Sequence, residues 1–519
     1  MEEKKAMLSL LSAGLLIFVP LSAEAQHGFL DSYTDASTCL QCHAGAATEV
    51  MQSLHWTWEL TDEITGQEVG KNRVINNYCV AVPSNEPRCT SCHVGVGWED
   101  KSFDFSDSSQ IDCLVCHDGT GTYSKVPTGA GAPDPSVDLL AVAQSVTLPD
   151  RNNCGSCHFY GGGGEGVKHG SMDSSLAEPS RELDVHMGGM DFQCTTCHVP
   201  DDNEPHHIVG TRYSQENPDH MMCQSCHTAE PHTSGMTNRH AERIACQTCH
   251  IPAYARGGKA TKMTWDWSTA GQMNDEGKPY SVKDENGYEI YNTKKGSFTW
   301  EENVVPEYTW FNGTVTYTLL EDQLSPEEIV PINVLHGDID DEKALIFPVK
   351  RFTGSQPYDA GAGTFAIPNL FPFPADDTDA YWKSFDWVRA LSSGMEYVGK
   401  EFVGPVDYVD TEMLWIQNHM VAPKEQSLEC ADCHTYQSRM NFARLGYDRE
   451  EAERLQLMMQ SDFWADFPVT EDGWADTGDW MGWVNVQYDP WILVVDLDKY
   501  IYMPMDGLTE QGGWGYIPR

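Results

Sequence analysis

Positive charge is what this 519-residue chain has least of: 33 Lys+Arg stand against 78 Asp+Glu, a formal net charge of -45. A surface of that sign repels a phosphate backbone, which excludes nucleic acid as a partner class. Long apolar runs are also lacking. The first, Ala6 to Val19, follows Lys4 and Lys5 and precedes the small-residue site Ala23-Glu24-Ala25. These are the three parts of a secretory leader, so residues 1–25 read as a signal peptide and the mature chain as starting at Gln26. The alternative, an uncleaved anchor, suffers from a run shorter than a membrane span needs. No later stretch is apolar enough to span, so the expected product is exported, soluble and periplasmic. A nucleotide-binding fingerprint is missing too: Gly161 to Gly164 has no strand pattern ahead of it and reads as backbone approaching a cofactor. Disorder is excluded by an aromatic content of 11%.

Cysteine, by contrast, is plentiful, and 16 of the 17 residues fall in eight copies of Cys-x-x-Cys-His. The sets are Cys39/Cys42/His43, Cys89/Cys92/His93, Cys113/Cys116/His117 and Cys154/Cys157/His158, then Cys194/Cys197/His198, Cys223/Cys226/His227, Cys246/Cys249/His250 and Cys430/Cys433/His434. Composition alone would yield roughly 0.02 such motifs. Two thiols three residues apart can form thioethers with the two vinyl groups of one haem, and the adjacent His then reaches the iron. Zinc ribbons require paired Cys-x-x-Cys units and give a constant following His no role, and disulfides give it none either. Eight covalently bound haem c groups are therefore expected.

Each iron has a second axial position. Eleven His lie outside the motifs, and of these His55, His169, His186, His232, His240 and His419 are expected as distal ligands. The pair His206–His207 supplies one more between its two rings, with His207 standing for the pair. His27 sits at the frayed mature terminus, and His220 and His336 are weaker candidates. About seven good distal His for eight irons leaves one haem without one.

Seven motifs crowd into residues 26–250, too closely for separate apolar cores, so the haem stack itself is expected as the core of a mainly α, loop-rich multihaem cytochrome c. Residues 251–429 carry no motif. There Asn312-Gly313, between Tyr308–Phe311 and Thr314–Tyr317, predicts a small β-hairpin region. Recurrent Gly and Pro from Gly354 to Pro374 predict an irregular loop. The eighth motif and a helix over 439–460 fill residues 430–461, and residues 462–519 form a Trp-rich acidic tail.

A haem with two His ligands only passes electrons, so catalysis needs an open or displaceable position. Lys168 and His169, in Gly161-Gly162-Gly163-Gly164-Glu165-Gly166-Val167-Lys168-His169-Gly170, point to opposite sides of an extended segment and can meet two haems. Lys ligates only as the neutral amine, which burial favours, and a solvent-exposed Lys is the plainer alternative. Cys79, the one cysteine outside the motifs, is either a thiolate poised for sulfur exchange or an inert buried thiol.

The stretches Asn85-Glu86-Pro87-Arg88-Cys89-Thr90-Ser91-Cys92-His93, Ile111-Asp112-Cys113-Leu114-Val115-Cys116-His117-Asp118 and Val167-Lys168-His169-Gly170 resemble the octahaem tetrathionate reductase family. So do Ala245-Cys246-Gln247-Thr248-Cys249-His250-Ile251-Pro252, Trp310-Phe311-Asn312-Gly313 and His419-Met420-Val421-Ala422-Pro423-Lys424-Glu425. The likeness runs from about residue 36 to about residue 440 and includes haem-free segments. It implies a monomeric or weakly associating periplasmic protein with seven bis-His haems and one Lys-ligated haem. Carried over, the Lys is Lys168, the active haem belongs to Cys89, Cys92 and His93, and Cys79 is the cysteine beside it. Glu165 matches a family acid position where Asp is usual, which leaves a proton-delivery role in doubt. The implied reaction is two-electron cleavage of tetrathionate to thiosulfate. A nitrite or hydroxylamine reductase and a non-catalytic electron conduit are the rivals. The implied partners are a small sulfur or nitrogen oxyanion, and a redox protein or quinol-linked cytochrome as donor.

Overall fold

The computed structural model describes residues 27–200, 204–208, 222–435 and 437–457, and in the C-terminal part 470, 473–476, 482–488, 491–495 and 499–502. The leader, His220, and residues 458–460 of the expected helix lie outside the described residues.

Between His27 and His250 the chain forms short helices and turns, the longest helix being Arg151–His158 with 8 residues. The attachment signals are themselves single helical turns. In five of them a bond from the His N–H to the first Cys carbonyl closes the turn, at 3.0 Å for His43, 3.2 Å for His117, 2.9 Å for His198, 2.8 Å for His227 and 3.0 Å for His434. A spacing of three in such a turn brings both thiols to one side. Apolar packing in this part forms small clusters such as Ala36, Ala47, Trp56 and Ile111, while Ile75, Val80, Ala81 and Val167 join the core of the segment that follows.

The segment without motifs is different. A nine-stranded sheet is built around three strands, β1 (Thr261–Asp266), β4 (Leu345–Asp359) and β5 (Val406–Ile416). β1 lies parallel to β4, and β5 lies antiparallel along it from Val349↔Ile416 to Asp359↔Val406. β2 (Gly296–Glu301) pairs β1, and β3 (Glu307–Phe311) pairs the start of β4. Trp265, Phe298, Phe352 and Met413 of these strands pack with Leu391 and Met395 of the helix Trp387–Tyr397 in the main core. That helix starts at Asp386, whose carboxylate accepts from Arg389 N.

Several expectations change. The chain is not mainly α, because its helices are short and the sheet is large. Asn312-Gly313 turns the chain, with Gly313 at φ 101°, but makes no hairpin. The strand before it pairs β4, while Val315–Tyr317 pairs Asn333–Leu335. The bond from Asn312 N to His336 O at 2.8 Å holds the turn between the two partners. Gly354 to Pro357 lies inside β4 and not in a loop; Gly354 is paired on both sides, to Trp265 and Thr411. The helix expected from 439 begins at Arg449, after a series of turns, and is described to Gln456. The acidic tail holds a four-stranded antiparallel meander from Trp474 to Tyr502. Among the described residues no helix is long and apolar enough to cross a membrane.

Candidate haem sites and the His93–Lys168 region

Seven motif imidazoles look across at a second imidazole. The ring centres are 6.1 Å apart for His43 and His27, 6.1 Å for His117 and His206, 6.1 Å for His158 and His55, and 6.4 Å for His198 and His419. The remaining three are His227 with His186 at 6.1 Å, His250 with His232 at 6.2 Å, and His434 with His240 at 6.1 Å. An imidazole nitrogen about 2 Å from a metal on each side, plus about 1 Å from nitrogen to ring centre, gives a separation of about 6 Å. The chain thus fits two imidazoles on one iron at seven motifs. Orientation supports this: His117 Nδ1 donates to Thr147 O at 2.8 Å and His434 Nδ1 to Leu455 O at 2.5 Å, which leaves Nε2 for the metal. Burial also pushes His55 and His419 down to about 4 and His158 to about 3, keeping them in the neutral form that ligates.

Two expected distal ligands stand elsewhere. His206, and not His207, faces His117, because Glu49 accepts from His206 N at 2.9 Å and Nδ1 at 2.8 Å and turns that ring inward. His207 is held near Glu204, at 3.1 Å. His169 faces Trp415, with ring centres 5.0 Å apart, and no motif His. His27, read as frayed, takes the place opposite His43.

The second motif is the exception. His93 is fully buried in a box of Trp56, Trp58, Trp98, Phe103 and Phe105. Its Nε2 donates to Trp56 O at 2.7 Å, and its Nδ1 is buried without a partner. Ligation through Nε2 requires this ring to turn from the Trp56 carbonyl, so here alone the ligand geometry is not preset. The His93 carbonyl, however, is fixed. Lys125 donates to it at 2.6 Å and pairs with buried Asp112 at 2.8 Å, which also accepts from Tyr123 at 2.6 Å. The helix Leu54–Thr57 joins two sites, sending His55 to His158 and Trp56 to His93.

Lys168 lies half-buried near Cys92 and Lys71, with its Nζ 4.6 Å from the Trp415 ring centre. Loss of hydration, then repulsion from Lys71, lowers its amine to about 7. Cys79 is a neighbour of Cys89, and its Sγ is 3.9 Å from where a Gly163 side chain would begin. Gly163 adopts φ 92°, so the glycine segment wraps the thiol as no L-residue would comfortably do. Burial pushes the Cys79 thiol up, outweighing Lys295, Arg88 and Lys262 around it. Burial thus favours the thiol form over the thiolate. Lys262 Nζ sits among Phe298, Trp265 and Trp300, at 3.3, 4.2 and 4.8 Å. Glu165 turns toward Ser174 N, at 3.3 Å, and Lys259, at 3.8 Å, and makes neither a hydrogen bond nor an ion pair with Lys168 or Cys79.

The motifs adjoin one another in a definite order. Cys39 neighbours Cys113, Cys92 neighbours Cys157, and Cys154 neighbours Cys194. Cys116 lies within electrostatic reach of Cys154, Cys197 of Cys226, His250 of His227, and Cys249 of Cys430. These neighbours trace a line through motifs one, three, four, five, six, seven and eight. The second motif joins it at the fourth, as a side branch. The Lys/Arg of residues 71–88, Lys71 among them, are the basic residues the sequence offers near this site, whereas Lys350 and Trp415 escaped sequence reasoning, since nothing local marks a residue whose partner is far along the chain.

Among the motif thiols Cys42 is exposed, and so are Cys197, Cys223, Cys226 and Cys430. Cys42 departs furthest from its companion. Cys39 is partly buried against Cys113, whereas Cys42 is held by its backbone, with its N–H donating to Cys39 O at 3.1 Å. The reason is position: the first motif ends the line and has a neighbouring motif on one side, so the thiol turned from that neighbour meets solvent. The other four exposed thiols belong to motifs five, six and eight, where the line runs along the surface. Spacing, and not enclosure, is therefore what marks Cys42 as the second attachment point of its haem.

Covalent attachment signals, paired axial imidazoles and contiguous motifs define a multihaem c-type cytochrome. Among solved structures, the crystal structure of octaheme cytochrome c from Shewanella oneidensis is similar to this chain: 42% identity, 84% of this chain and 96% of that chain covered, TM-score 0.74. A family described as "Cytochrome c bacterial" matches residues 262–437. An uncharacterized protein of Archaeoglobus fulgidus is 24% identical over 227 residues, 34% of this chain and 76% of that protein. The chain belongs to the octahaem c-type cytochromes and carries covalently bound haem c.

Proposed function

We propose that this is a periplasmic octahaem cytochrome that reduces tetrathionate to thiosulfate at the second motif, with the seven bis-His haems as its relay. One observation carries the reading: His93 is the motif imidazole that faces no second imidazole among the described residues, and Lys168 stands near its Cys92 with an amine lowered to about 7. Haem, when bound, supplies electrons one at a time. Two of them break the central S–S bond, and one tetrathionate dianion becomes two thiosulfate dianions with no proton required. Lys71, Lys295 and Arg88 offset the charge of the incoming dianion, which the net charge of -45 would otherwise repel. Cys79 adjoins the reacting sulfurs as a neutral thiol. Because the reaction consumes no proton, Glu165 is assigned to anchoring the glycine segment through Ser174 and Lys259. Electrons come from a redox protein or quinol-linked cytochrome docking near a terminal motif.

The test is tetrathionate turnover by purified protein with a low-potential donor, beside Lys168→Ala with all eight haems confirmed. Turnover abolished by the substitution supports the reading. Turnover by neither protein sinks it, and parallel assays with nitrite and hydroxylamine then separate a nitrogen-oxide reductase from an electron conduit.

A further inference from the structure

Lys350 is fully buried in the middle of β4, and among the described residues it has no carboxylate partner. All three of its N–H groups are nevertheless used. Nζ donates to Val167 O at 3.0 Å, to Lys168 O at 3.3 Å and to Thr261 Oγ1 at 2.6 Å. Thr261 Oγ1 in turn donates to Gly166 O at 2.8 Å, and Lys262 N reaches the same carbonyl at 3.1 Å. Three consecutive carbonyls, 166 to 168, are thus held from β1 and β4. An ammonium has three donors and no acceptor, so this arrangement saturates it.

The strand register adds a second contact point. Lys350 pairs directly with Trp415 of β5, so both side chains project from one face of the sheet. Lys350 grips the backbone of the Lys168 segment. The Trp415 ring meets its side chains, 4.6 Å from Lys168 Nζ and 5.0 Å from the His169 ring.

We propose that Lys350 is a positioning residue for Lys168, fixing the backbone carbonyls on either side of its Cα so that only the four methylenes of the Lys168 side chain are free to move. This rests on the reading of Lys168 as a haem ligand. Any displacement of the amine would then be a side-chain motion against a fixed backbone, not a loop movement. The positioning role also explains a fully buried lysine with no counter-charge: carbonyl geometry, not charge pairing, is what that position needs.

The test uses purified protein with eight haems: wild type, Lys350→Met and the milder, nearly isosteric Thr261→Val. The readouts are the electron paramagnetic resonance signal of the one haem that is not bis-His, and kcat and KM for tetrathionate. In Lys350→Met that signal should broaden or split while the bis-His signals stay sharp. kcat should fall between about tenfold and about a hundredfold with KM within about twofold. Thr261→Val should move both readouts the same way by less, and decides the matter if Lys350→Met does not accumulate. A sharp wild-type signal and unchanged kcat in the variants, even with lowered thermal stability, would leave Lys350 purely structural and overturn the proposal. A wild-type protein in which all eight haems are bis-His would overturn the Lys168 reading first, and this inference with it.

Discussion

Seven motif histidines face a partner ring at 6.1–6.4 Å, whereas His93 faces a tryptophan carbonyl. The seven are finished coordination sites: two neutral imidazoles need little rearrangement when an electron passes. The eighth is unfinished on both sides, with a proximal ring that must turn and an amine as distal candidate. On the proposed reading, conduction is served by the first arrangement and chemistry by the second. Their placement agrees, because the seven form a continuous line and the second motif hangs from it beside the fourth.

The largest effect that would break this contrast is at Lys168. Lys168→Ala should lower tetrathionate turnover by about a hundredfold and convert one haem of the eight to a high-spin form, read by absorbance and magnetic circular dichroism. Loss of turnover without a spin change would move Lys168 from ligand to cation. Cys79→Ser comes next, with an expected fall in kcat of about tenfold and unaltered haem spectra, since the thiol adjoins the substrate and not the iron. A change in one haem spectrum instead would make Cys79 part of the coordination.

On the paired side, His206→Met should raise the potential of a single haem in a redox titration, because thioether ligation favours the reduced iron. His207→Met should change none. The reverse result would undo the His117–His206 pairing.

The smallest effect concerns the floor of the second motif. Burial raises Glu86 from its ordinary 4.5 to about 7, only partly offset by the Tyr397 hydroxyl donating to it at 2.7 Å. The fold therefore holds a proton that the unfolded chain releases. The stabilisation is complete below pH 4.5 and is lost as pH rises through about 7, and it amounts to about 3 kcal/mol at most. Thermal unfolding should show wild type losing stability between those pH values relative to Glu86→Gln. Equal pH profiles would mean that Glu86 is ionised in the fold.

What could be read in the sequence was what is local. An attachment signal is five residues long, and its chemistry needs nothing from afar. Even so, the signal says nothing of exposure: Cys39 and Cys42 belong to one turn, and only the fold decides which of them meets another motif. Axial partners are non-local: His206 and His207 differ in sequence by one position, and Glu49, which orients one of them, is 157 residues away. Likewise β4 was hidden because Gly354 and Pro357 read as part of an irregular loop, yet a strand flanked on both sides tolerates them where neighbouring chain supplies the packing. Asn312-Gly313 did mark a turn. The strands it separates simply pair with others, a decision made by the sheet and not by the dipeptide. The surroundings of Lys168 were legible mainly by resemblance, since they come from residues 71, 92, 350 and 415.

The contacts between thiols of different motifs bear on how the molecule is made. Cys39 and Cys113, Cys92 and Cys157, and Cys154 and Cys194 are neighbours although each pair spans two motifs. A chain that compacted in an oxidising compartment with these thiols free would staple itself through the wrong pairs and close the sites to porphyrin. Attaching the cofactors to an open polypeptide before it collapses would keep these neighbours from cross-pairing, and the native shape would then be a record of a synthesis already completed.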